Sequence, residues 1–405
     1  MKIRVSGVGC SLIDYLYTNV SFESESFRRY RSRSEGDGGL SPGKLVFAQE
    51  FEAFAGKELD DIQEELTEGR DPDTSNLGGP SVVALIHAAQ LLAGSDTSVS
   101  FYGARGADAT AVKMIEILRR TPVDTKGYRV VPGQSPFTIV LSDPGYDGGH
   151  GERTFINNIG AAGNFGPEDI DSTFFQGDIL AFGGTGLVPR LHARIDEPLR
   201  RAKEYDRLTV VNTVYDFLNE KAHPESKWPV GANDDTFRYI DLFIADREEA
   251  LRTTGTTSVD DAIYFLKDHG VKATIITQGP APVVFAANGK PFQKSAADMI
   301  PVCDRVAGDR ASGVARGDTT GCGDNFVGGV LASLVGQLRG GMSGQLDLRL
   351  ASSLGVVSGG YACYYVGGTF IESRAGEKRA NLTEMYRSYL KQTDFAPRNG
   401  DGIIE

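Results

Sequence analysis

Short apolar runs rich in β-branched residues alternate along most of the chain with stretches whose apolar residues recur at helical spacing. Residues 3–9 (IRVSGVG) read as a first strand, and residues 80–93 (PSVVALIHAAQLLA) as a helix opened by Gly78-Gly79-Pro80. Residues 98–103 are a further strand candidate, followed by a helix near 109–119. The runs 178–183, 208–212, 239–245 and 272–277 are short and mostly apolar, as strands buried on both faces are. Helical patterns at 192–205, 248–254 and 259–269 separate them. The alternation predicts an α/β fold in which helices cover both faces of a mostly parallel central sheet.

Two regions break this rhythm. Residues 138–143 and 153–159 alternate apolar and polar positions on either side of a Gly- and Asp-rich turn at 144–151. That is the pattern of an antiparallel hairpin with one polar face, and it predicts a small β lid over a site. The other region, residues 21–75, has mixed charge and is far longer than an ordinary connection. It holds a strand candidate at 44–51, an acidic helix at 57–68 and the cluster Arg28, Arg29, Arg31 and Arg33. The arginines suit either an anionic substrate or a solvated face. The reading is one domain over residues 1–405, with lid segments near 14–56 and 138–160 and an insertion near 21–75.

Composition narrows the chemistry. The 405 residues are 40% hydrophobic and 24% charged, which is ordinary for a globular chain. Lys and Arg total 42 against 54 Asp and Glu, a net charge of -12. So acidic a chain is a poor general partner for nucleic acid or anionic membranes, and any phosphate must be held locally. Gly is abundant at 50 residues, often paired or at strand ends, where a backbone can approach a ligand closely. Cys10, Cys303, Cys322 and Cys363 have no C-x-x-C spacing, so neither a zinc site nor a disulfide framework is indicated. The N-terminus lacks a signal-peptide apolar run, and no later stretch is long enough for a bilayer, so a reducing cytoplasm is the expected location. His87 in an apolar helix and His150 in a glycine turn form no metal spacing.

The chemistry concentrates in Gly317-Asp318-Thr319-Thr320-Gly321-Cys322-Gly323-Asp324-Asn325-Phe326, a glycine-punctuated turn that runs into an apolar helix. The first amides of a helix lack intrahelical partners, and the macrodipole adds positive potential there. Gly321 and Gly323 allow those amides to converge on an anion. Asp324 in the first turn is either a helix-stabilising acid or a general base beside a phosphate in transfer. Cys322 lies where a thiol pKa can fall, although small size accounts for it equally well.

This segment resembles the D-T-x-G-A-G-D signature of the PfkB (ribokinase-like) carbohydrate kinases, with Cys322 in the usual Ala place. Other residues extend the resemblance in the same order. Asp14, after the first strand, matches the substrate-binding Asp, and Gly78-Gly79 the double glycine of the N-terminal signature. Gly151-Glu152-Arg153-Thr154 with Gly160-Ala161-Ala162-Gly163-Asn164 is similar to the lid hairpin and its return. Thr277-Gln278-Gly279 resembles the nucleotide-side T-x-G. The stretches 21–75, 302–316 and the tail after Asp394 fall outside it.

The resemblance implies a ribokinase-like fold and transfer of the ATP γ-phosphate to a hydroxyl of a sugar. Gly321, Cys322 and Gly323 would supply the anion hole and Asp324 the base. Asp14, Gly78, Gly79, Ser81, Arg153 and Asn158 would meet the acceptor, with Asn157 as a further lid candidate. Thr277, Gly279, Thr320, Gly355 and Ser358 would meet the nucleotide. Asp318, with Thr320, marks where the family holds a monovalent cation such as K+. Magnesium would be bound chiefly by phosphates and water. The family's N-x-x-E for placing magnesium appears as Asp246-Arg247-Glu248-Glu249, which also reads as an N-cap followed by first-turn acids. Val83 stands where many relatives carry an Asn that meets sugar hydroxyls. Alternatives are a nucleoside kinase of the adenosine kinase type, suggested by 158–165 and Gly367-Gly368-Thr369-Phe370, and a non-catalytic ligand-sensing relative. Lid strands in this family often pair two subunits, so a homodimer through the lid is expected.

Overall fold

A computed structural model describes residues 2–34, 36–340 and 345–396. In chain order the described strands are β1 (Ile3–Gly9), β2 (Leu12–Tyr17), β3 (Leu45–Phe47), β4 (Thr74–Gly78), β5 (Thr97–Arg105), β6 (Asp124–Val130), β7 (Phe137–Asp143), β8 (Glu152–Asn158), β9 (Ile179–Gly183), β10 (Leu208–Asn212), β11 (Leu242–Asp246), β12 (Ala273–Gln278), β13 (Ala281–Ala287) and β14 (Ser295–Ile300). They form two sheets, ordered β14-β13-β12-β11-β10-β9-β1-β5-β6 and β3-β8-β7-β2-β4. In the larger sheet β6, β5, β1, β9, β10, β11 and β12 run parallel, and β13 and β14 close one edge antiparallel. The parallel strands are apolar on both sides because helices cover both faces; β9 is buried throughout.

One face carries the helices Pro80–Leu91, Cys322–Arg339 and Leu348–Tyr361, whose apolar residues share a core with Val5, Phe101, Ile244 and Ile275. The other face packs Phe174, Phe182, Leu199, Phe243 and Leu266. Burying side chains of this size contributes roughly 1.5–3 kcal/mol each, so these two layers supply most of the cohesion.

The smaller sheet is the lid, and its two faces differ. Register aligns Asp14 with Thr138 and Asn157 in one row, and Tyr15 with Ile139 and Ile156 in the next. Side chains alternate between faces, so the first row looks one way and the second the other. The apolar face, with Tyr17, Ile139, Leu141 and Ile156, is covered by the insertion through Phe22, Phe27, Tyr30, Leu40, Phe51, Ile62 and Leu66. The insertion thereby buries the apolar face of the lid within the chain itself.

Several expectations need correction. The stretch 44–51 is strand only over β3; at Ala48 it turns helical (Ala48–Ala55), burying Ala48 and Phe51 on one side. Asp14, which follows the first strand, lies within a second one, β2. The helix expected at 192–205 is two pieces, Pro189–His192 and Asp196–Glu204, and the strand at 239–245 begins only at Leu242. Strands β6, β13 and β14 were not expected, since their runs are polar or alanine-rich and gain their pairing from neighbours. The arginine cluster pairs within the insertion: Arg28 with Glu23 (2.6 Å), Arg29 with Glu65 (2.7 Å), and Arg33 over the Phe54 ring.

Candidate active site

The helix Cys322–Arg339 starts at Gly321, whose φ of 74° is left-handed. A Cβ there would stand 2.5 Å from Gly368 Cα, so both backbone angle and space require glycine. With no side chain at the cap, the first amides stay open. Cys322 N reaches Thr319 O at 3.3 Å, and Asn325 N returns to Gly321 O at 2.9 Å. Among the described residues, the amides of Gly321, Gly323 and Asp324 find no acceptor. Asp324 sits half-buried beside them with no ion pair among the described residues, and burial pushes its carboxyl up to about 6.

Asn325 fixes this loop from behind. Its Nδ2 donates to the carbonyls of Gly321 (2.8 Å) and Gly368 (2.9 Å). Those two acceptors settle which end of the amide is which. Its Oδ1 meets Lys378 Nζ (2.9 Å), the Tyr365 hydroxyl (3.1 Å) and His87 Nδ1 (2.6 Å). Lys378 is buried, which draws its pKa down to about 7, and burial likewise lowers His87. Asn325, Tyr365 and Lys378 escaped the sequence reading. The one available signal was a polar Asn inside an apolar helix stripe.

The polar face of the lid looks onto the same loop. Burial and the nearby Asp324 charge push Asp14 up to about 7, against a lowering influence from the Thr138 hydroxyl. Asn157 Nδ2 donates to Thr138 Oγ1 at 3.0 Å, while its buried Oδ1 has no partner among the described residues. Gly78 leaves room for Asp14, since a Cβ would fall 2.3 Å from its Oδ2. Gly79, at φ 104°, caps the helix Pro80–Leu91 and would clash with Cys10 O at 2.7 Å. Ser81 is packed between Gly9 and Gly183, and Val83 lies against Gly368. Asn158 is out of phase with Asp14: strand alternation turns it to the opposite face, and it bonds Gln134 Oε1 at 3.2 Å. Asn157 is the lid asparagine on the Asp14 face.

Arg153 bridges lid and loop. Its guanidinium pairs with Asp318 Oδ2 (3.2 Å) and reaches Thr320 Oγ1 (3.3 Å). Asp318 Oδ1 accepts the amides of Thr320 (3.1 Å) and Gly367 (3.2 Å). With both oxygens engaged and its charge met by Arg153, Asp318 does not fit the K+ role expected for it.

A cavity of about 530 Å³ opens on the other side of the helix start, lined by Thr277, Gly279, Val306, Cys322, Gly323 and Phe326, among others. Thr319 lines it rather than Thr320, which turns to Arg153. Gly355 and Ser358 do not line it. A Cβ at Gly355 would meet the Phe326 ring at 2.9 Å, and Ser358 Oγ presses on Gly329, so both serve close helix packing. Gly359 and Gly360, further along, form the wall.

Asp246 and Glu249 form a capping box on the helix Arg247–Thr254: Asp246 Oδ1 takes the Glu249 amide (2.8 Å), and Glu249 Oε2 takes the Asp246 amide (3.1 Å). Glu249 Oε2 also accepts from Thr213 (2.6 Å), and burial with the Asp246 charge pushes its carboxyl up to about 7. Among the described residues no three acidic, His or Cys side chains converge as a metal cage. A divalent ion carried by phosphates and water still fits, because Asp246 is exposed and Glu249 half-buried, neither has an ion pair among the described residues, and each keeps one oxygen outside the box.

The family pattern described as pfkB family carbohydrate kinase matches residues 52–370. No curated protein matches the chain by sequence. Among solved structures, adenosine kinase from Schistosoma mansoni with 2-fluoroadenosine superposes at a TM-score of 0.65 and 17% identity, covering 90% of this chain and 96% of that one. Adenosine kinase from Sinorhizobium meliloti gives 0.65 at 18% identity, covering 95% and 99%. Ribokinase from Thermotoga maritima gives 0.58 at 17%, covering 96% and 99%. These likenesses establish the ribokinase-like fold. No helix among the described residues is long and apolar enough to cross a membrane.

Proposed function

The chain belongs to the pfkB family of carbohydrate kinases, and from that premise we propose that it transfers the γ-phosphate of ATP to a hydroxyl of a sugar, with Asp324 as general base. The observation that carries this reading is the uncapped helix start: amides of Gly321 and Gly323 without acceptors, beside a carboxylate without an ion pair. A base with a pKa raised to about 6 is mostly ionised at neutral pH, yet basic enough to take the hydroxyl proton as the O–P bond forms. Charge spreads over the phosphoryl oxygens in the transition state, and the preorganised amides of Gly321, Gly323 and Asp324 stabilise it without reorganising; the Cys322 amide, expected among them, is taken up by Thr319 O.

On the acceptor side, Asp14 and the free Asn157 carbonyl take donor hydroxyls, while Gly78 and Gly79 keep the floor bare. Arg153, in reach of the loop, holds the lid down so that water cannot accept the phosphoryl group in place of the sugar. Thr277 and Gly279 line the cavity that receives the nucleotide, whose apolar wall suits a purine. Asp246 and Glu249 would hold magnesium through water, where it offsets phosphate charge. The reading places a single kinase domain in the cytoplasm, where ATP is plentiful.

A nucleoside acceptor is the second reading, since adenosine kinases (0.65) stand beside ribokinase (0.58) among the structures that the chain resembles. Release of ADP from ATP and magnesium, measured across a panel of sugars and nucleosides, separates the two. Acceptor-dependent release that disappears in Asp324→Asn supports the mechanism. Release that persists in that variant sinks it, and binding of an acceptor without any turnover points to a sensor.

A further inference from the structure

The nucleotide cavity holds two cysteines whose sulfurs touch. Cys322 is the first residue of the helix Cys322–Arg339, inside the anion loop. Cys363 belongs to the short turn Ala362–Tyr364 that follows the helix Leu348–Tyr361. Their Sγ atoms are 3.6 Å apart, and both residues line the cavity beside Arg310. Distant in sequence and on separate elements, they meet because the two helices pack side by side through small residues such as Gly329 and Ser358. We propose that this pair is a modification site: a hydroperoxide converts it to a disulfide, which disables the phosphoryl-transfer loop.

A disulfide needs its sulfurs about 2 Å apart, so the pair has to close from 3.6 Å. Glycines on both sides of Cys322 let the backbone give. The loop is already tied to the Cys363 turn by Gly317 N to Cys363 O (2.9 Å) and Asp318 N to Tyr365 O (3.3 Å). A covalent link would add a tether between the open amides of Gly321 and Gly323, drawing Cys322 away from the position the loop needs.

The chemistry has an asymmetry that orders the steps. A hydrogen bond between the two sulfurs, together with the hydrogen bond and positive charge of Arg310 at Cys363, takes the Cys363 thiol down to about 6 while Cys322 rises. Cys363 thiolate attacks the O–O bond of the hydroperoxide, forming a sulfenic acid and releasing an alcohol, or water from hydrogen peroxide, once the leaving oxygen takes up a proton. Cys322 then attacks that sulfur, the S–S bond forms, and the sulfenic oxygen leaves as water with the Cys322 proton. Two thiols are oxidised and one peroxide is reduced. A dithiol reductant reverses the bond by exchange.

Only the functional consequence rests on the kinase reading; the bond itself can be read by mass. Full-length protein treated with hydrogen peroxide, then alkylated and digested, is expected to yield a peptide linking Cys322 to Cys363, with the mass of two hydrogens lost and restored by dithiothreitol. Cys322→Ala and Cys363→Ser should each abolish that peptide. Each should also lose a smaller fraction of its own reduced-state turnover to peroxide than the unsubstituted protein does. Saturating ATP should slow the link several-fold. Cys303 lines the same cavity, and a link through it, or sulfonic acid at either residue with no link, would overturn the proposal. Link formation that ATP leaves unchanged would also overturn it, since the pair would then lie outside the nucleotide's reach. A chain that forms the link but, when reduced, phosphorylates no acceptor upholds the pair and removes the kinase reading. A chain that turns over but never links does the reverse.

Discussion

Two helices start near each other at the cleft, and they start in opposite ways. Arg247–Thr254 begins at Asp246 and carries Glu249 at its third position; Cys322–Arg339 begins at Gly321 and carries Asp324 at the same third position. They are close enough that the Asp324 charge helps raise Glu249. At the first start, each acid takes the other's amide and the box closes. At the second, the cap has no side chain, so the amides stay open and the acid stays unbonded. One side chain at the cap therefore decides whether a helix start is spent on the fold or left available to a ligand.

The comparison breaks first at Asp324. Asp324→Asn should lower kcat by about 10²–10⁴-fold while ATP still binds by calorimetry, because the open amides remain. Equal loss of binding and turnover would mean the residue is structural. Next is Gly321→Ser, which installs a cap of the Asp246 kind at a left-handed φ with a 2.5 Å clash against Gly368. We expect turnover to fall by about 10²-fold, the order seen when an anion-hole donor is lost.

The acid left open sets the pH response. With Asp324 at about 6, kcat/KM should drop about ten-fold per pH unit below pH 6 in steady-state assays. The sign for stability runs the other way. The folded carboxyl holds its proton at higher pH than the unfolded chain, so its charge costs stability above about pH 6, and the cost fades toward pH 4. Ligand-free Asp324→Asn should accordingly melt higher than the unsubstituted protein at pH 8, with the gap closing as pH falls. Lys378→Met, which removes the buried donor to Asn325, should reduce kcat by about ten-fold with acceptor KM little changed, because it loosens the loop rather than the acceptor contacts. The smallest effect belongs to the closed box. Asp246→Ala should cost about 1 kcal/mol in denaturant unfolding, the usual worth of an N-cap.

The anion loop could be read from residues 317–326 because its chemistry is local: glycines, an acid and a helix start lie within ten positions of one another. The Asp246 to Glu249 segment was legible only as a pair of alternatives, and the observed box keeps both, since each acid has one oxygen outside it. The lid hairpin was visible in its alternation, but the phase was not. Choosing Asn158 over Asn157 inverted the face, because one residue of register moves a side chain across a sheet. Thr320, Gly355 and Ser358 fall outside the cavity lining for a related reason: helix packing and the reach of Arg153 assign their direction, and neither is written in their own neighbourhood.

Local spacing was enough to determine the α/β class, the order of the elements and the glycine-rich helix start, since strands, helices and exposed amides follow from residues a few positions apart. Tertiary packing decided which lid asparagine faces Asp14, that the insertion seals the outer lid face, that Arg153 neutralises Asp318, and that Cys322 meets Cys363. Each of these depends on side chains brought together from distant parts of the chain, and a linear pattern holds no record of which distant surfaces will be buried against one another.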